Sequence, residues 1–540
     1  MKNILKFTLL ALSLTGICDA NAIAQITKRS NPPRSKVSKP RKKMPSEAII
    51  LRKVNAYLKA KKISNKKAWA LLEKIEARSN KLSSTDRSIL YQTQAKLLRR
   101  ADYKILSSIY SAKAITSNKD KFSKGLTFSW MNLKDISKSH PIQNFMALLA
   151  QNIGLRDDLP PGWDNDWNYI VALSWAKKGR LLEAVREFKK LSPDDRNYFP
   201  ASYRKAMLLN QYSKNDLAIR ELKKFLYPGF LDRAPLKKSE KENLKNLSAL
   251  ALGRIYYEKS EFLKSIYYYR TVEKDSLQYY DALFEQSWAL FMNGNPNHAL
   301  GALYSLSTPF FSDRYNPESS ILKAIIYFWI CHYDKSKNAL ADFLEKHQST
   351  IKLIERFANN KSLTPEIAFK VFKARINGQK VSEIPSDVLG YVVDQPTLFA
   401  PRDQLAAVLE EKQNLDKNGI FGIKKAKTLS KNLGVWINSL EKEIGSLVIA
   451  ELKELSVRFA DHMKQAKFLY IELLMSEAKQ KLGKNLHDSE IKASEDQTYK
   501  RLIGWNNNQN MSWATSDKDE VWWDEIGYHI AHVESQCAEK

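Results

Sequence analysis

Glycine is scarce in this chain, at 18 of 540 residues. Leu, Lys and Ala are plentiful, and few stretches alternate apolar with polar residues as half-buried strands do. That composition disfavours sheet architectures and predicts an all-α protein. Cysteine is scarcer still: Cys18, Cys331 and Cys537 stand far apart, too few for a disulfide framework. Long apolar runs are missing too. Outside the first residues nothing approaches the roughly 18 uncharged apolar residues of a bilayer span, so the mature protein is expected to be soluble. The usual carriers of chemistry are also absent. There is no phosphate-cradling glycine loop, nucleophile elbow, His-Glu-x-x-His or Cys-x-x-Cys. His140, His298, His332, His347, His462 and His487 are scattered singly. His529 and His532 stand near Asp524, Glu525 and Cys537, but the spacing is loose for a metal site. An amphipathic helix end is the expectation there. No metal and no cofactor are expected.

The N-terminus carries the first positive signal. Lys2 and Lys6 precede a short apolar run from Phe7 to Ile17, and Ala20-Asn-Ala22 and Ala22-Ile-Ala24 offer small-x-small cleavage patterns. Residues 1–24 read as a secretory signal peptide. Two alternatives stay open: lipidation at Cys18, although Ile17 precedes it where a small residue is wanted, and a buried N-terminal helix. Cleavage leaves two cysteines and room for one bridge at most. Cys331 ends an apolar run from Ile325 and reads as a small buried core residue. Residues 25–46 carry Lys28, Arg29, Arg34, Lys36, Lys39, Arg41, Lys42 and Lys43 with Pro32, Pro33 and Pro40, and no acid. Such a segment is expected to be a mobile tether. Its functional reading is attachment to an anionic surface, such as lipid headgroups or cell-wall polymer. The export signal argues against nucleic acid.

The centre of the chain repeats. After Gly179, Ala184 opens a second helix, and Ala218 follows 34 residues later (184 to 218). Ser265 and Ala299 repeat the step (265 to 299). A fixed period of this size, with helical apolar spacing inside each unit, indicates stacked helical hairpins. Leu252-Gly253-Arg-Ile-Tyr256, followed by Phe262, Ser265 and Tyr269, resembles the tetratricopeptide repeat (TPR) family. Five units start near Asn165, Phe199, Asn246, Tyr280 and Pro317, within 165–350. An insertion at 227–240 reads as a surface loop. The fifth unit is displaced by three residues and has Cys331 where a turn glycine is usual. The resemblance implies an inner surface lined by the first helix of each unit. It would carry Tyr169, Tyr203, Arg254, Tyr257, Phe284, Trp288, Phe291, Phe328 and Trp329, an aromatic groove suited to an apolar helix or an extended peptide. The alternative is that several of these pack against the chain's own downstream helices. Family members that grip a C-terminal carboxylate use Lys, Asn and Arg at these positions, and only Arg254 fits.

The flanks read as helical. In 47–160, Ser64 and Asp86 are candidate caps, and these helices are candidates for degenerate repeats extending the array. Residues 157–162 form a closing turn. In 351–426, Thr364-Pro365-Glu366 is a start signal, Gly378 a stop, and Pro385 and Pro401 mark breaks. A long coiled-coil-like helix occupies 427–484. Leu433, Ile437, Leu440, Ile444 and Leu447 form one seam, and Val448, Leu452, Leu455, Phe459, Met463 and Tyr470 resume it after a shift of one. Its partner is the chain itself, another protein, or a second copy through 433–474. The tail, 485–540, holds Trp505, Trp513, Trp522 and Trp523. So aromatic a segment is expected to dock, into its own groove or onto a partner.

Taken together, these features predict an all-α, TPR-type helical solenoid with flanking helices. Its expected role is a non-enzymatic scaffold or adaptor, exported to the periplasm or cell surface, and it resembles exported bacterial envelope TPR proteins. Envelope proteins are the expected partners through the groove. A formal charge of +28 supports the alternative, a binder of anionic cell-wall or surface polymer through the basic arm. A peptidoglycan-cleaving transglycosylase is not expected, because Glu534-Ser535 leaves no room for the rest of that active site.

Overall fold

The computed structural model describes residues 46–121, 123–139, 149, 164–312, 314–379, 386–393, 395–419, 427–481, 511–512 and 521–537. The candidate signal peptide, the basic residues 28–43, the turn at 157–162, Pro385, Trp505 and Trp513 lie outside them. Among the described residues the protein is all-helical, apart from one two-residue strand pair.

Helices α1 (Ser46–Lys59), α2 (Asn65–Glu76), α3 (Ser84–Arg100), α4 (Lys104–Ser117) and α5 (Thr127–Ser139) form the N-terminal block. Five hairpins follow: α6 (Asp164–Lys177) with α7 (Leu181–Lys189), α8 (Tyr198–Gln211) with α9 (Asn215–Lys223), and α10 (Lys238–Glu258) with α11 (Phe262–Arg270). The fourth pairs α12 (Tyr279–Met292) with α13 (Pro296–Leu306), and the fifth α14 (Glu318–Trp329) with α15 (Tyr333–Ala358). Each hairpin packs on the next.

One backbone device ends every first helix. A residue at positive φ stands just past it, at Gly179, Ser213, Ser260, Gly294 and Cys331. The steps between them are 34, 47, 34 and 37 residues. The following N–H reaches back five residues, as in Arg180 N to Trp175 O (3.0 Å) and His332 N to Tyr327 O (2.9 Å). This closes the orphan carbonyls of the helix end. Seven residues before each turn and five after it stand small residues: Ala172 and Ala184, Ala206 and Ala218, Gly253 and Ser265, Ser287 and Ala299, Ala324 and Ser336. All are buried. At Gly253 the need is steric, since a Cβ there would lie 2.5 Å from the Tyr269 ring. The Ser265 hydroxyl donates to Gly253 O (2.8 Å), and Ser336 donates to Ala324 O (2.7 Å).

The α3–α4 hairpin keeps the same register. Asp102 has φ +63°, Ala95 and Ser107 are buried at the equivalent offsets, and Ser107 donates to Ala95 O (2.8 Å). The N-terminal block therefore contains a hairpin of the same construction.

Several local expectations need correction. Ser83, not Asp86, caps α3: its Oγ accepts from Asp86 N (3.1 Å), while the Asp86 carboxylate accepts from the Ser83 hydroxyl (2.6 Å). Ser64 and Thr364 do cap α2 and the later helix α16 (Pro365–Ile376). The insertion at 227–240 is more than a surface loop. Leu231 and Ala234 pack with Phe199, Phe225 and Leu244, and Phe230 meets the rings of Phe199 and Phe225 at 5.3 Å each. Pro401 breaks nothing. It sits early in α18 (Pro396–Asn418), which follows α17 (Ser386–Val393), and so close to the helix start it forfeits one backbone bond. Helix α15 runs past residue 350, the expected end of the repeats.

Helix α19 (Lys427–Lys481) is a single helix of 55 residues. Its seam, from Leu429 through Leu433, Leu440, Ile444, Val448, Leu452 and Phe459 to Leu473, is buried within the chain against α14, α15, α16 and α18. Tyr470 is exposed. At Gly445 a Cβ would lie 1.8 Å from Pro365 O, so α16 crosses there at backbone distance. The chain then meets its own beginning. Both Glu411 oxygens on α18 accept from the α4 N-terminus, at Ile105 N and Leu106 N (2.7 Å each), and the Tyr103 hydroxyl donates to Gly419 O. One apolar core runs from Ala48 to Val171 and on through Ile321 to Leu473.

Burial pushes the Glu411 carboxyl up to about 7, against the pull of the Leu106 and Ile105 N–H groups. A folded value above the unfolded one means a stability contribution present at low pH and lost as pH rises from about 4.3 to 7. The difference in melting temperature between the wild type and Glu411→Gln should therefore shrink between pH 4.5 and 7; a widening difference would contradict this. Glu411→Ala orphans two buried donors and should cost about 1–3 kcal/mol by denaturant titration.

Candidate functional site

The nine groove candidates all fall on first helices of the hairpins, and the structure separates them. Tyr169 packs on Phe188 (5.9 Å) in the first hairpin's own core. Tyr203 flanks the core between the second and third hairpins. Phe291 is buried and meets Trp329 edge-on at 6.1 Å, while Phe328 lies against Tyr333 (5.8 Å). These five serve packing within and between neighbouring hairpins. Arg254, Tyr257, Phe284 and Trp288, which are partly exposed like Tyr169, Tyr203, Phe328 and Trp329, stand together on the adjoining helices α10 and α12.

Charge joins those four. The Arg254 guanidinium grips Glu285 through Nε (3.0 and 2.8 Å) and Nη2 (2.6 Å), a bidentate bridge from α10 to α12. Burial opposes the guanidinium's charge, but Glu285 outweighs it and raises the pKa. The Trp288 indole donates to Glu318 Oε1 on α14 (3.2 Å). Burial, with Glu318 nearby, holds the Tyr257 phenol well above its usual value and therefore neutral. The downstream helices form the far edge. His462 Nε2 lies 3.5 Å from Glu318 Oε2, and Arg458 donates to the Tyr391 hydroxyl (3.0 Å) and to Glu454 (3.2 Å). The predicted open aromatic groove is thus a shorter wall. Three half-buried rings stand on it beside a fixed ion pair, closed on one side by α19.

Sequence reasoning missed Glu285, Glu318 and Arg458. Their side chains cross between hairpins, and no local spacing signals that. Glu285 lies 31 residues beyond Arg254, near the repeat period, which is the one clue the chain offers.

The tail docks on the chain itself. Residues 521–537 lie along α13 and the turn after α14. Ala531 N donates to Asn297 O (3.1 Å), Val533 N to Asn297 Oδ1 (3.0 Å), Gly527 N to Ser305 Oγ (3.1 Å) and Gln536 N to Ile330 O (3.0 Å). Tyr279 donates its hydroxyl to Ile526 O (3.1 Å). Trp523 stacks edge-on with Tyr279 (6.1 Å) and Phe310 (5.3 Å). Cys537 bonds to Cys331, with Cα atoms 5.0 Å apart. Cys331 is buried, as expected, but as half of a disulfide. His529 does not end a helix. It begins a short extended strand, His529–Ile530, parallel to Met511–Ser512, and its Nδ1 lies 2.9 Å from Ser305 Oγ. Burial pushes its pKa down, which keeps the ring neutral. Among the described residues no group of three or more His, Cys, Asp or Glu could hold a metal ion, and no helix is long and apolar enough to cross a membrane.

No protein-family model matches this chain, and no curated protein does.

The Arg254–Glu285 bridge is a quarter exposed at most. Each single alanine substitution should therefore cost about 1–3 kcal/mol, and the double mutant clearly less than the sum. Additive losses in denaturant titrations would show that the two charges do not act as a pair.

Proposed function

We propose that the chain is a TPR-type helical solenoid acting as a non-enzymatic scaffold, which binds a protein partner through the wall formed by Arg254, Tyr257, Phe284 and Trp288. The observation that carries this reading is the partial exposure of three large rings, Tyr257, Phe284 and Trp288, side by side with the Arg254–Glu285 ion pair on two adjoining first helices. A ring half out of the core has surface left for a ligand. Tyr, Trp and Arg are also the residues that dominate binding energy at protein interfaces. The adjacent ion pair offers an extended peptide both a donor and an acceptor edge. The repeated left-handed turns and small-residue crossings support the TPR-type assignment, because those are the positions the family's motif reserves for them.

The paired charges favour a protein over a polyanion. Arg254 is neutralised by Glu285, and on the second and third hairpins Lys205 and Lys224 share Glu221 while Lys259 meets Asp216. A polyanion needs unpaired cations, and the acid-free basic run of the sequence is the segment 25–46. Attachment of that arm to anionic envelope polymer stays as the second reading. Export to the periplasm or cell surface is favoured by the signal-like N-terminus and by the Cys331–Cys537 bridge, since disulfides persist in oxidising compartments. Homodimerisation through 433–474 is disfavoured over most of its length, because that seam is already buried.

Tagged protein incubated with native envelope should retain a discrete protein through a high-salt wash. Trp288→Ala with Tyr257→Ala should weaken retention about 30-fold or more, the scale of two hot-spot losses. Deleting residues 25–46 should leave it unchanged. Retention that is lost in salt, or that depends on the arm and ignores Trp288, would replace the scaffold reading with the polymer-binding one.

A further inference from the structure

The face of α13 that holds the tail is built for an extended chain. Asn297, Gly301 and Ser305 stand four residues apart and share one side of the helix. The contact at Gly301 leaves no slack: a Cβ there would lie 1.8 Å from His529 O and 2.4 Å from the carbonyl carbon, and both are backbone atoms that cannot swing aside. Recognition runs mostly through the main chain of the docked segment. Its N–H groups at Gly527, Ala531, Val533 and Gln536 all donate to this face or the next turn, and its carbonyl at Ile526 accepts from Tyr279. Its side chains anchor too: Ile526 and Ala531 are 0% and 1% exposed, His529 is buried against Ser305 and Tyr304, and Trp523 packs on Tyr279 and Phe310. Main-chain capture of an extended segment, with pockets for a few of its side chains, is a recurrent mode of peptide recognition. Gly527 is fixed in its own way. Its φ is +87°, and a Cβ there would meet the Tyr279 hydroxyl at 2.7 Å.

One covalent bond holds this arrangement. Cys331 is buried at the left-handed turn, while Cys537 is half-exposed, so an incoming thiolate reaches the Cys537 sulfur first.

We propose that the Asn297–Gly301–Ser305 face is an extended-peptide binding site whose resident ligand is the chain's own residues 521–537, and that exchange of the Cys331–Cys537 disulfide with a dithiol gates it. In the exchange a dithiol's thiolate attacks Cys537 Sγ. The Cys331–Cys537 bond breaks, and Cys331 departs as a thiolate that takes up a proton. The second thiol of the reductant then displaces Cys537 as a thiol. The reductant leaves as a disulfide, having given two electrons and two protons. With the covalent link gone, the tail is held by its hydrogen bonds and packed side chains alone, and it competes with any extended segment of like chemistry. This site is separate from the Trp288 wall, and failure of one leaves the other standing.

Two measurements on the full chain test it. Amide exchange across 521–537 should be slow in the oxidised protein and at least tenfold faster after reduction with dithiothreitol. Equal protection in both states would overturn the gate, and rapid exchange in both would overturn the docking. For the site itself, the double variant Gly527→Leu with Cys537→Ser cannot seat its own tail. It should bind a fluorescent synthetic peptide of residues 521–537 carrying Cys537→Ser, saturably, with unchanged helical circular dichroism. Adding Gly301→Ala should cut that affinity at least tenfold, although alanine suits a helix better than glycine. Ser305→Ala, which removes two polar contacts without crowding, should weaken it several-fold. A folded double variant that ignores the peptide, or a peptide indifferent to both groove substitutions, would refute the site.

Discussion

The contact on which the rest of the fold depends is the close crossing of two helices over a small residue. Each hairpin brings a first helix against a second at Ala, Ser or Gly, and large side chains such as Tyr269 then fill the space beside the crossing. The left-handed turn residue sets the angle at which the second helix returns. Buried apolar area supplies most of the stability, but it is not directional. The crossing and the turn decide which apolar faces meet. A larger side chain at Gly253 would force the helices apart and shift every residue that α11 presents to α12. This is why the period survives the 47-residue step at the insertion and the 37-residue step before Cys331. Both changes fall between hairpins, outside the pair of small residues and the turn.

An array of hairpins has two open ends, each exposing an apolar face. Here the chain covers them with its own helices. Lys134 and Trp130 of α5 meet Asp166 and Trp167 at the start of the first hairpin. At the other end α19 lies over the fifth. The two coverings then meet through Glu411 and the N-terminus of α4, so the contacts form a closed circuit. The same closure shapes the candidate wall. Helix α19 brings His462 toward Glu318, the carboxylate that accepts from the Trp288 indole.

Much of the architecture was legible in the chain, for a physical reason. Helix spacing, caps and the small-residue period are local signals, carried by residues within one or two hairpins. Thr364-Pro365, Ser64 and the seam from Leu433 to Leu455 read correctly because each depends on neighbours three or four positions away. Errors came where two local signals competed or where a partner was distant. Asp86 is a good cap type, but Ser83 takes the role three residues earlier, and Asp86 braces its hydroxyl. Pro401 reads as a breaker unless the helix start at Pro396 is known. Of the inner-position aromatics, Tyr169 and Phe291 have the right period and pack against Phe188 and Trp329. Whether a ring at an inner position is left open depends on what packs across it from elsewhere. Glu285, Glu318 and the tail come from 30 to 250 residues away from the groups they meet.

Cys331 shows how a departure from pattern locates a special position. The turns at Gly179 and Gly294 use glycine, which adopts positive φ freely, and Ser213 and Ser260 bear a modest strain. Cysteine has no conformational advantage at φ +62°, where a side chain costs about 1–2 kcal/mol relative to a right-handed conformation. A residue that adds nothing to the turn must be there for its sulfur. That sulfur sits where the fifth hairpin turns, at the end of the face on α13 that the tail follows. The geometry that makes the turn strained for cysteine is the same geometry that presents Cys331 to Cys537. Local sequence preference fails at this one turn because a contact 206 residues away determines which residue stands there.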